Sequence, residues 1–208
     1  ILQVMDSGCK DGCGKHVFSR EDPQGLHVVP FKKPTTEELD HDCLWRVHKE
    51  VPAKGQIAIF NRSHYEDIIA VRVKKIFPDP VWKRRYKHVL DFESMLAEEG
   101  TVIIKLFLNI SKEEQKKRLE SRLQDPDKLW KFCMDDLDDR NRWDEFQTAY
   151  QDLIEKTSTP EAPWYIIPAD RKWYRNLVVA RLMVEKLRHL QLSLPTPNFA
   201  PASIIIPD

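Results

Sequence analysis

Five apolar segments of strand length recur along the chain and alternate with longer segments of helical periodicity. They occupy residues 1–5, 26–31, 56–60, 101–108 and 164–167. Several are nearly continuous apolar runs, which is typical of strands that are buried on both faces of a parallel sheet. The pattern therefore predicts a single doubly wound α/β domain over residues 1–190.

Two of the predicted helices begin with the sequence of a capping box, in which a hydroxyl and a Glu three residues later satisfy free backbone N–H groups. One pair is Thr35 and Glu38, and the other is Ser111 and Glu114. A last helix is predicted over residues 170–190, where apolar side chains recur at helical spacing.

The two ends of the chain carry separate expectations. Residues 191–208 contain four prolines and a short Ile run. We expect them to form a Pro-rich arm that lies on the body or on a neighbouring subunit. At the other end the chain starts with Ile1 inside a predicted strand, so we expect further sequence upstream.

Composition restricts the classes of partner. The 208 residues include 33 Lys and Arg and 33 Asp and Glu, so no overall charge attracts nucleic acid or a membrane surface. No apolar run reaches membrane-spanning length and no signal peptide is visible. Four irregularly spaced cysteines are typical of reduced thiols in the cytoplasm. Basic residues gather at 83–88 and 112–122, and for the first cluster a solvated helix face is the favoured interpretation.

A Gly-rich segment, DSGCKDGCGKH, follows the first predicted strand at residues 6–16. Backbone N–H groups of such a turn, the N-terminus of the following helix and a lysine together bind phosphate. The regular P-loop pattern is not met, because five residues separate Gly8 from Gly14, and His16 stands where Ser or Thr would be needed. Two alternatives stay open: an ordinary turn with surface lysines, and a metal site formed by Cys9, Cys13 and His16.

Charged side chains follow the other predicted strands. Lys32 and Lys33 follow the second strand, residues 61–67 (NRSHYED) follow the third, and Asp170 and Arg171 follow the fifth. Ligands of such sheets bind at the carboxyl ends of the strands, where these side chains are expected to meet. Cations neutralise phosphoryl oxygens and carboxylates hold magnesium, so the pattern indicates phosphoryl transfer.

The segment FNRSHYED at residues 60–67 resembles the signature of the family-2 polyphosphate kinases. Further segments match in order over nearly the whole chain up to about Leu190. They are MD (5–6), KDG (10–12), KHV (15–17), DPQG (22–25), FK (31–32), PT (34–35), EEL (37–39), HD (41–42), LWRVH (44–48), ISKEEQ (110–115), WKF (130–132), RWD (142–144), PW (163–164) and ADRKWY (169–174).

The resemblance implies a three-layer α/β/α P-loop kinase fold, similar to thymidylate kinase, with a helical lid at residues 112–142. It implies reversible transfer of phosphoryl groups between inorganic polyphosphate and nucleotides, with Mg²⁺ or Mn²⁺ as cofactor. AMP and ADP are the expected acceptors, with guanine nucleotides as further candidates. Residues 44–48 look closest to the subgroup that phosphorylates both nucleoside mono- and diphosphates. We expect a cytoplasmic homo-oligomer, a dimer or tetramer, with no nucleic-acid or membrane partner.

The resemblance also implies roles for individual residues. The catalytic set is Asp6, Lys10, Arg62, Asp67, Arg118 and Arg122. The phosphate-binding set is Ser7, Gly8, Cys9, Asp11, Gly12, Cys13, Lys15, Lys32, Lys128 and Lys131. The nucleotide-binding pair is Asn61 and Glu66. The metal ligands are Asp6 and Asp67, with Glu66 as an alternative.

Two departures from the family pattern concern the Gly-rich segment. Cys9 replaces the usual Gly and Cys13 the usual Thr. Because a cationic site lowers the pKa of a thiol, oxidation sensitivity is a hypothesis for these cysteines. Two other functions stay open: a conventional nucleoside monophosphate kinase that uses ATP, and a catalytically weak phosphate-binding homologue. For Arg118 and Arg122, a solvated helix face with Glu114 as ion-pair partner is the alternative to polyphosphate binding.

Overall fold

The computed structural model describes residues 1–5, 8, 10–19, 22, 24–194, 196–199 and 204. In this part of the chain five strands form one sheet in the order β2-β3-β1-β4-β5, and every pairing is parallel. The strands are β1 (Leu2–Gln3), β2 (Leu26–Pro30), β3 (Ile57–Asn61), β4 (Lys105–Asn109) and β5 (Trp164–Pro168). The predicted parallel sheet is therefore confirmed.

The fourth strand differs from its predicted bounds. It begins at Lys105, and residues 101–104 form no strand. Its neighbours explain the difference, because β5 begins opposite Lys105 and β1 begins opposite Leu106. Residues 101–104 therefore extend beyond the ends of both neighbouring strands and pair with neither, although their side chains are apolar enough for a strand.

The helices cover both faces of the sheet. Helix α1 packs against α9, whereas α4, α5 and α8 pack against one another. Right-handed crossovers place these two groups on opposite faces, which gives three layers. The helices are α1 (Lys10–Phe18), α2 (Thr36–Asp40), α3 (Trp45–His48), α4 (Glu66–Lys74), α5 (Asp79–Glu98), α6 (Lys112–Gln124), α7 (Asp135–Asn141), α8 (Trp143–Thr157) and α9 (Lys172–His189), with a 3₁₀ turn at Leu129–Lys131.

One of the two predicted capping boxes is complete. Thr35 Oγ1 accepts from the Glu38 N–H at 3.2 Å, and the Glu38 side chain accepts from the Thr35 N–H at 2.8 Å. Ser111 also caps its helix, but its own N–H donates to Asp170 at 2.7 Å rather than to Glu114. The Glu114 carboxylate instead accepts from Arg118, so the second box is only half formed.

The main core lies between the sheet and these helices. Leu108, Ile68 and Leu153 are almost fully buried in it, and a smaller cluster packs around Val47 and Phe92. Outside the core, the described tail residues 192–194 and 196–199 are exposed and form neither helix nor strand. Within the described ranges, each helix is too short or too polar to cross a membrane.

Helix α4 ends at a strained position, which gives a test of the fold. Lys75 has a φ of 52°, in the left-handed region, and its N–H closes the last turn against Arg72 and Val71. A side chain in this conformation costs about 1 kcal/mol relative to glycine. We expect Lys75→Gly to raise the unfolding free energy by up to about 1 kcal/mol and the Tm by about 2–4 °C in thermal unfolding. Lys75→Ala keeps the Cβ atom, and an equal gain there would contradict the explanation.

Candidate active site

The Gly-rich segment leaves the carboxyl end of β1, the central strand. Gly8 is buried, and its N–H donates to the Met5 carbonyl at 3.0 Å. A Cβ atom at this position would lie 1.9 Å from Val4 Cγ2 and 2.9 Å from the Met5 carbonyl oxygen. Only glycine fits, because the turn passes directly over the end of its own strand. The predicted site residues Asp6, Ser7 and Cys9 lie outside the described residues.

Helix α1 continues this segment, and the predicted phosphate-binding residues in it differ in exposure. Lys10 is the first residue of the helix and is half-buried, whereas Gly12 and Lys15 are exposed; Asp11 lies between them in the same helix. Cys13 is fully buried, and this burial raises the pKa of its thiol although Arg175 acts in the opposite direction. The predicted lowering of the thiol pKa is therefore wrong for Cys13, because a cation near a thiol does not offset the loss of water around it.

The alternative metal site receives no support from the described residues. Among them, no three His, Cys, Asp or Glu side chains form a group that could hold a metal ion. Cys13 and His16 both belong to α1, but Cys13 is buried and His16 is exposed. Cys9 lies outside the described part.

The turn at residues 61–67 follows β3 at the same edge of the sheet. Asn61 ends the strand and is half-buried. Arg62 has a φ of 62°, a left-handed conformation that costs about 1–2 kcal/mol for a residue other than glycine. Its N–H donates to the Leu2 carbonyl of β1 at 3.1 Å, so the strained residue is bonded to the central strand. Such strain at the end of a strand is typical of a functional site.

Asp67 lies in the first turn of α4 between two arginines. Arg46 Nη2 lies 3.2 Å from Asp67 Oδ2, and Arg85 Nη1 donates to the Asp67 carbonyl oxygen at 2.6 Å and lies 3.8 Å from Oδ1. The side chain of Asp67 is only 13% exposed. Burial raises its pKa, and the two arginines oppose this without cancelling it. The carboxylate is thus held in a defined orientation by fixed positive charges.

Glu66 faces a different side of the same helix. It lines a narrow crevice together with Arg62, Lys74, Asp139 and Tyr150. The crevice is bridged by an ion pair of 2.8 Å between Lys74 Nζ and Asp139 Oδ1, which joins α4 to α7. Successive helix residues point about 100° apart, so the carboxylates of Glu66 and Asp67 meet different neighbours.

Arg46 is a site residue to which the sequence assigned no role. Its guanidinium contacts Asp67 and also donates through Nη1 to the Lys32 carbonyl at 2.9 Å. It therefore ties the exposed Lys32 after β2 to the turn after β3. Only its place in the LWRVH segment pointed to it. Arg85 was missed for another reason: its cluster was interpreted as a solvated helix face, whereas its own side chain is only 15% exposed.

The predicted lid begins with α6, and its first arginine is an internal residue. Arg118 is only 7% exposed: its Nε donates to Glu114 at 2.7 Å, and its Nη2 donates to the carbonyls of Ala169 at 2.7 Å and Asp170 at 3.0 Å. Its Nη1 has no hydrogen-bond partner in the part of the chain that the structure describes. The predicted pairing with Glu114 is found, but the face around it is buried rather than solvated.

The other predicted lid cations lie nearer the surface, and Arg122 and Lys128 meet acidic neighbours. Arg122 Nη1 donates to Asp136 Oδ2 at 3.0 Å, and Lys128 pairs with Asp125. Lys131 lies beside the exposed ring of Trp130 at 5.0 Å. Because Arg118 is buried and Arg122 is not, these two arginines do not form the continuous open face that their spacing predicted.

The fold and the residues at its carboxyl edge define a class of protein: an α/β enzyme of the P-loop kinase type. The family model "Polyphosphate kinase 2 (PPK2)" matches residues 1–194, and this chain belongs to that family. An AMP/ADP-polyphosphate phosphotransferase of Meiothermus ruber is 52% identical over 206 residues, which cover 99% of this chain and 77% of that protein.

Two further relatives agree with this assignment. An ADP-polyphosphate phosphotransferase of Rhodopseudomonas palustris is 40% identical over 207 residues, covering 94% of this chain and 72% of that protein. The crystal structure of polyphosphate kinase 2 from Arthrobacter aurescens matches with a TM-score of 0.94 and 48% identity, over 97% of this chain and 71% of that one. The chain is therefore an enzyme, a polyphosphate-dependent kinase.

The close approach at Gly8 gives a direct test of the loop geometry. We expect Gly8→Ala to lower the unfolding free energy by about 1–3 kcal/mol, because the added methyl group overlaps Val4 and the Met5 carbonyl. Thermal unfolding measures the effect. Gly14→Ala is the matched control, since its Cβ would meet only Leu2 at an ordinary 3.9 Å among the described residues. Equal Tm values for the two variants would show that the described geometry at Gly8 is incorrect.

Proposed function

We propose that this chain transfers phosphoryl groups reversibly between inorganic polyphosphate and purine nucleotides, converting AMP to ADP and ADP to ATP. The observation that carries the proposal is the position of two turns at the carboxyl ends of adjacent strands: the Gly8 turn follows β1, and the turn at residues 61–67 follows β3. The names of the relatives at 52% and 40% identity, which refer to AMP and ADP, support these acceptors. Guanine nucleotides and a homo-oligomeric assembly remain predictions.

The described residues account for much of the required chemistry. Phosphoryl transfer passes through a loose transition state, so an enzyme mainly positions groups and neutralises charge. Lys10 at the N-terminus of α1 would bind a phosphoryl group with the loop N–H groups. Arg62 would offset the charge that develops on the transferred oxygens. Arg46 would keep Asp67 and the Lys32 loop at a fixed separation, since it is bonded to both.

The cofactor we propose is Mg²⁺, with Mn²⁺ as a substitute, because phosphotransferases generally need a divalent cation. Carboxylate oxygens are the ligands that magnesium prefers, and Asp67 and Glu66 supply them at this edge of the sheet. Asp67 would join Asp6 at the ion, and Glu66 is the alternative ligand. When bound, magnesium would neutralise phosphate oxygens and orient the donor and acceptor groups.

Purified protein with long-chain polyphosphate, Mg²⁺ and either AMP or ADP tests the proposed function directly. Chromatography should show ADP or ATP only when polyphosphate is present. Transfer from ATP to a nucleoside monophosphate, without any use of polyphosphate, would favour the conventional kinase. Nucleotide or phosphate binding without turnover would favour the catalytically weak homologue. The match to the polyphosphate kinase 2 family over residues 1–194 argues against both alternatives.

Removal of one catalytic charge is expected to affect turnover strongly. Lys10→Ala and Asp67→Asn should each lower kcat by at least about a hundredfold, because each removes a group that stabilises the transferring phosphoryl or its metal ion. Rates of ATP formation from ADP and polyphosphate measure the loss. Asp91→Asn is the matched control, since this carboxylate is exposed and pairs with Lys87 on α5. A near-normal rate in either active-site variant would refute the role assigned to that residue.

Arg122 is expected to act on donor binding rather than on chemistry. Arg122→Ala should raise the KM for polyphosphate about threefold to tenfold with little change in kcat, as expected for loss of a binding contact made equally in ground and transition states. Lys116→Ala removes a cation from the same helix at an exposed position and is the control. An identical dependence on polyphosphate concentration in wild type and Arg122→Ala would exclude Arg122 from the binding surface.

A further inference from the structure

The strained turn at residues 61–67 is hydrogen-bonded to side chains deep inside the protein. It contains Arg62 and Asp67, whose catalytic roles rest on the proposed function. Gln3 Nε2 of β1 donates to Ser63 Oγ at 2.9 Å, and the same Oγ accepts from the Tyr65 N–H at 3.2 Å. Gln3, Ser63 and Tyr65 are all completely buried. Hydrogen bonds to the protein interior therefore fix the middle of the turn, and the proposed catalytic residues Arg62 and Asp67 lie on either side of it.

Tyr65 extends this connection to a buried ion pair. Its hydroxyl donates to Glu93 Oε1 of α5 at 2.7 Å and accepts from Lys105 Nζ of β4 at 3.0 Å. Lys105 Nζ also donates to Glu93 Oε2 at 2.6 Å and to the Thr157 carbonyl at 2.6 Å. All three N–H donors of the lysine are thus used, in directions set by α5, α8 and the turn.

His64 adds a second link from the turn to the same carboxylate. Its Nε2 lies 3.2 Å from Glu93 Oε1, and its ring is 2% exposed. Burial lowers the pKa of Lys105, with Glu93 acting against that change. Burial alone would raise the pKa of Glu93, but His64 and Lys105 outweigh it and hold that pKa below its ordinary value.

An ion pair in this place is difficult to explain by stability alone. Lys105 and Glu93 are 0% and 3% exposed, and apolar residues of similar size often give a core of equal or greater stability than a buried ion pair. Directional hydrogen bonds differ from apolar contacts in one respect: they define the position of the groups they join. Here the groups joined are two consecutive residues of the strained turn.

We propose that Glu93 and Lys105 are positioning residues for phosphoryl transfer, which act through Tyr65 and His64 to hold the turn in the conformation that presents Arg62 and Asp67. Both residues lie in the interior, away from the carboxyl edge of the sheet. Their effect passes mainly through the Tyr65 hydroxyl, which is bonded to both of them and belongs to the turn.

The variant Tyr65→Phe tests this chain of contacts with the smallest change. It removes one hydroxyl, keeps the ring in the core and leaves the Lys105–Glu93 pair intact. We expect kcat to fall about tenfold, since small misplacement of catalytic groups is costly, while the KM values for polyphosphate and nucleotide stay within about twofold. Asp152→Asn is the control, because it removes the charge of the Arg72–Asp152 pair between α4 and α8 without touching the turn.

Amide hydrogen exchange supplies a readout that needs no substrate. The N–H groups of Arg62, Glu66 and Asp67 are bonded within or beneath the turn. In Tyr65→Phe they should exchange about tenfold faster than in wild type and in Asp152→Asn, because the turn opens locally more often. Unchanged exchange would overturn the proposal. Faster exchange with unchanged kcat would overturn it too, since the contacts would then be structural only.

The double variant Glu93→Leu with Lys105→Met removes the ion pair without leaving one charge buried. It should reduce kcat at least as much as Tyr65→Phe, since it also removes the His64–Glu93 link. The triple variant should lose little more than the double variant, because Tyr65 acts through the same connection to the ion pair. Additive losses would contradict that connection. If wild-type protein makes no ADP or ATP from polyphosphate, the proposed function fails, while the exchange measurement still decides whether the turn is anchored as we infer.

Discussion

A parallel sheet that is covered on both faces has room for polar groups only at its ends, and the architecture of this protein follows from that constraint. The Gly8 turn, the Lys32 loop and the turn at residues 61–67 all lie at the carboxyl edge. Two polar side chains of the sheet are nevertheless completely buried: Gln3 is the last residue of β1 and Lys105 is the first residue of β4. Each is hydrogen-bonded to the turn after β3, so the exceptions lead back to the site.

The features that the sequence predicted well are those set by neighbouring residues. Continuous apolar runs indicated the five strands, and the order of strand, Gly-rich segment and helix indicated the connection from β1 to α1. The capping box at Thr35 formed as predicted because all of its partners lie within four residues. Local patterns of this kind need no knowledge of which elements pack together.

The contacts that sequence reasoning missed join residues from separate elements. Arg46 of α3 and Arg85 of α5 contact Asp67 although they are 21 and 18 residues away in sequence. The hydrophobic periodicity of the sequence does not show that these two helices pack beside Asp67. The same limitation explains Arg118: its spacing from Arg122 is helical as predicted, but the side of α6 that faces the loop after β5 depends on tertiary packing. Burial of Cys13 likewise depends on where α9 lies, because the two helices pack against each other.

The acidic partners of the basic residues in the predicted lid change how polyanion binding would work. Arg122 and Lys128 each already contact a carboxylate, Asp136 and Asp125 respectively. A phosphate chain that takes these cations must displace those carboxylates, so association at this surface is an exchange of one anion for another. Added salt weakens the internal pairs as well as the contacts that replace them. The affinity for a polyanion at this surface should therefore fall less steeply with ionic strength than the number of basic side chains alone would suggest.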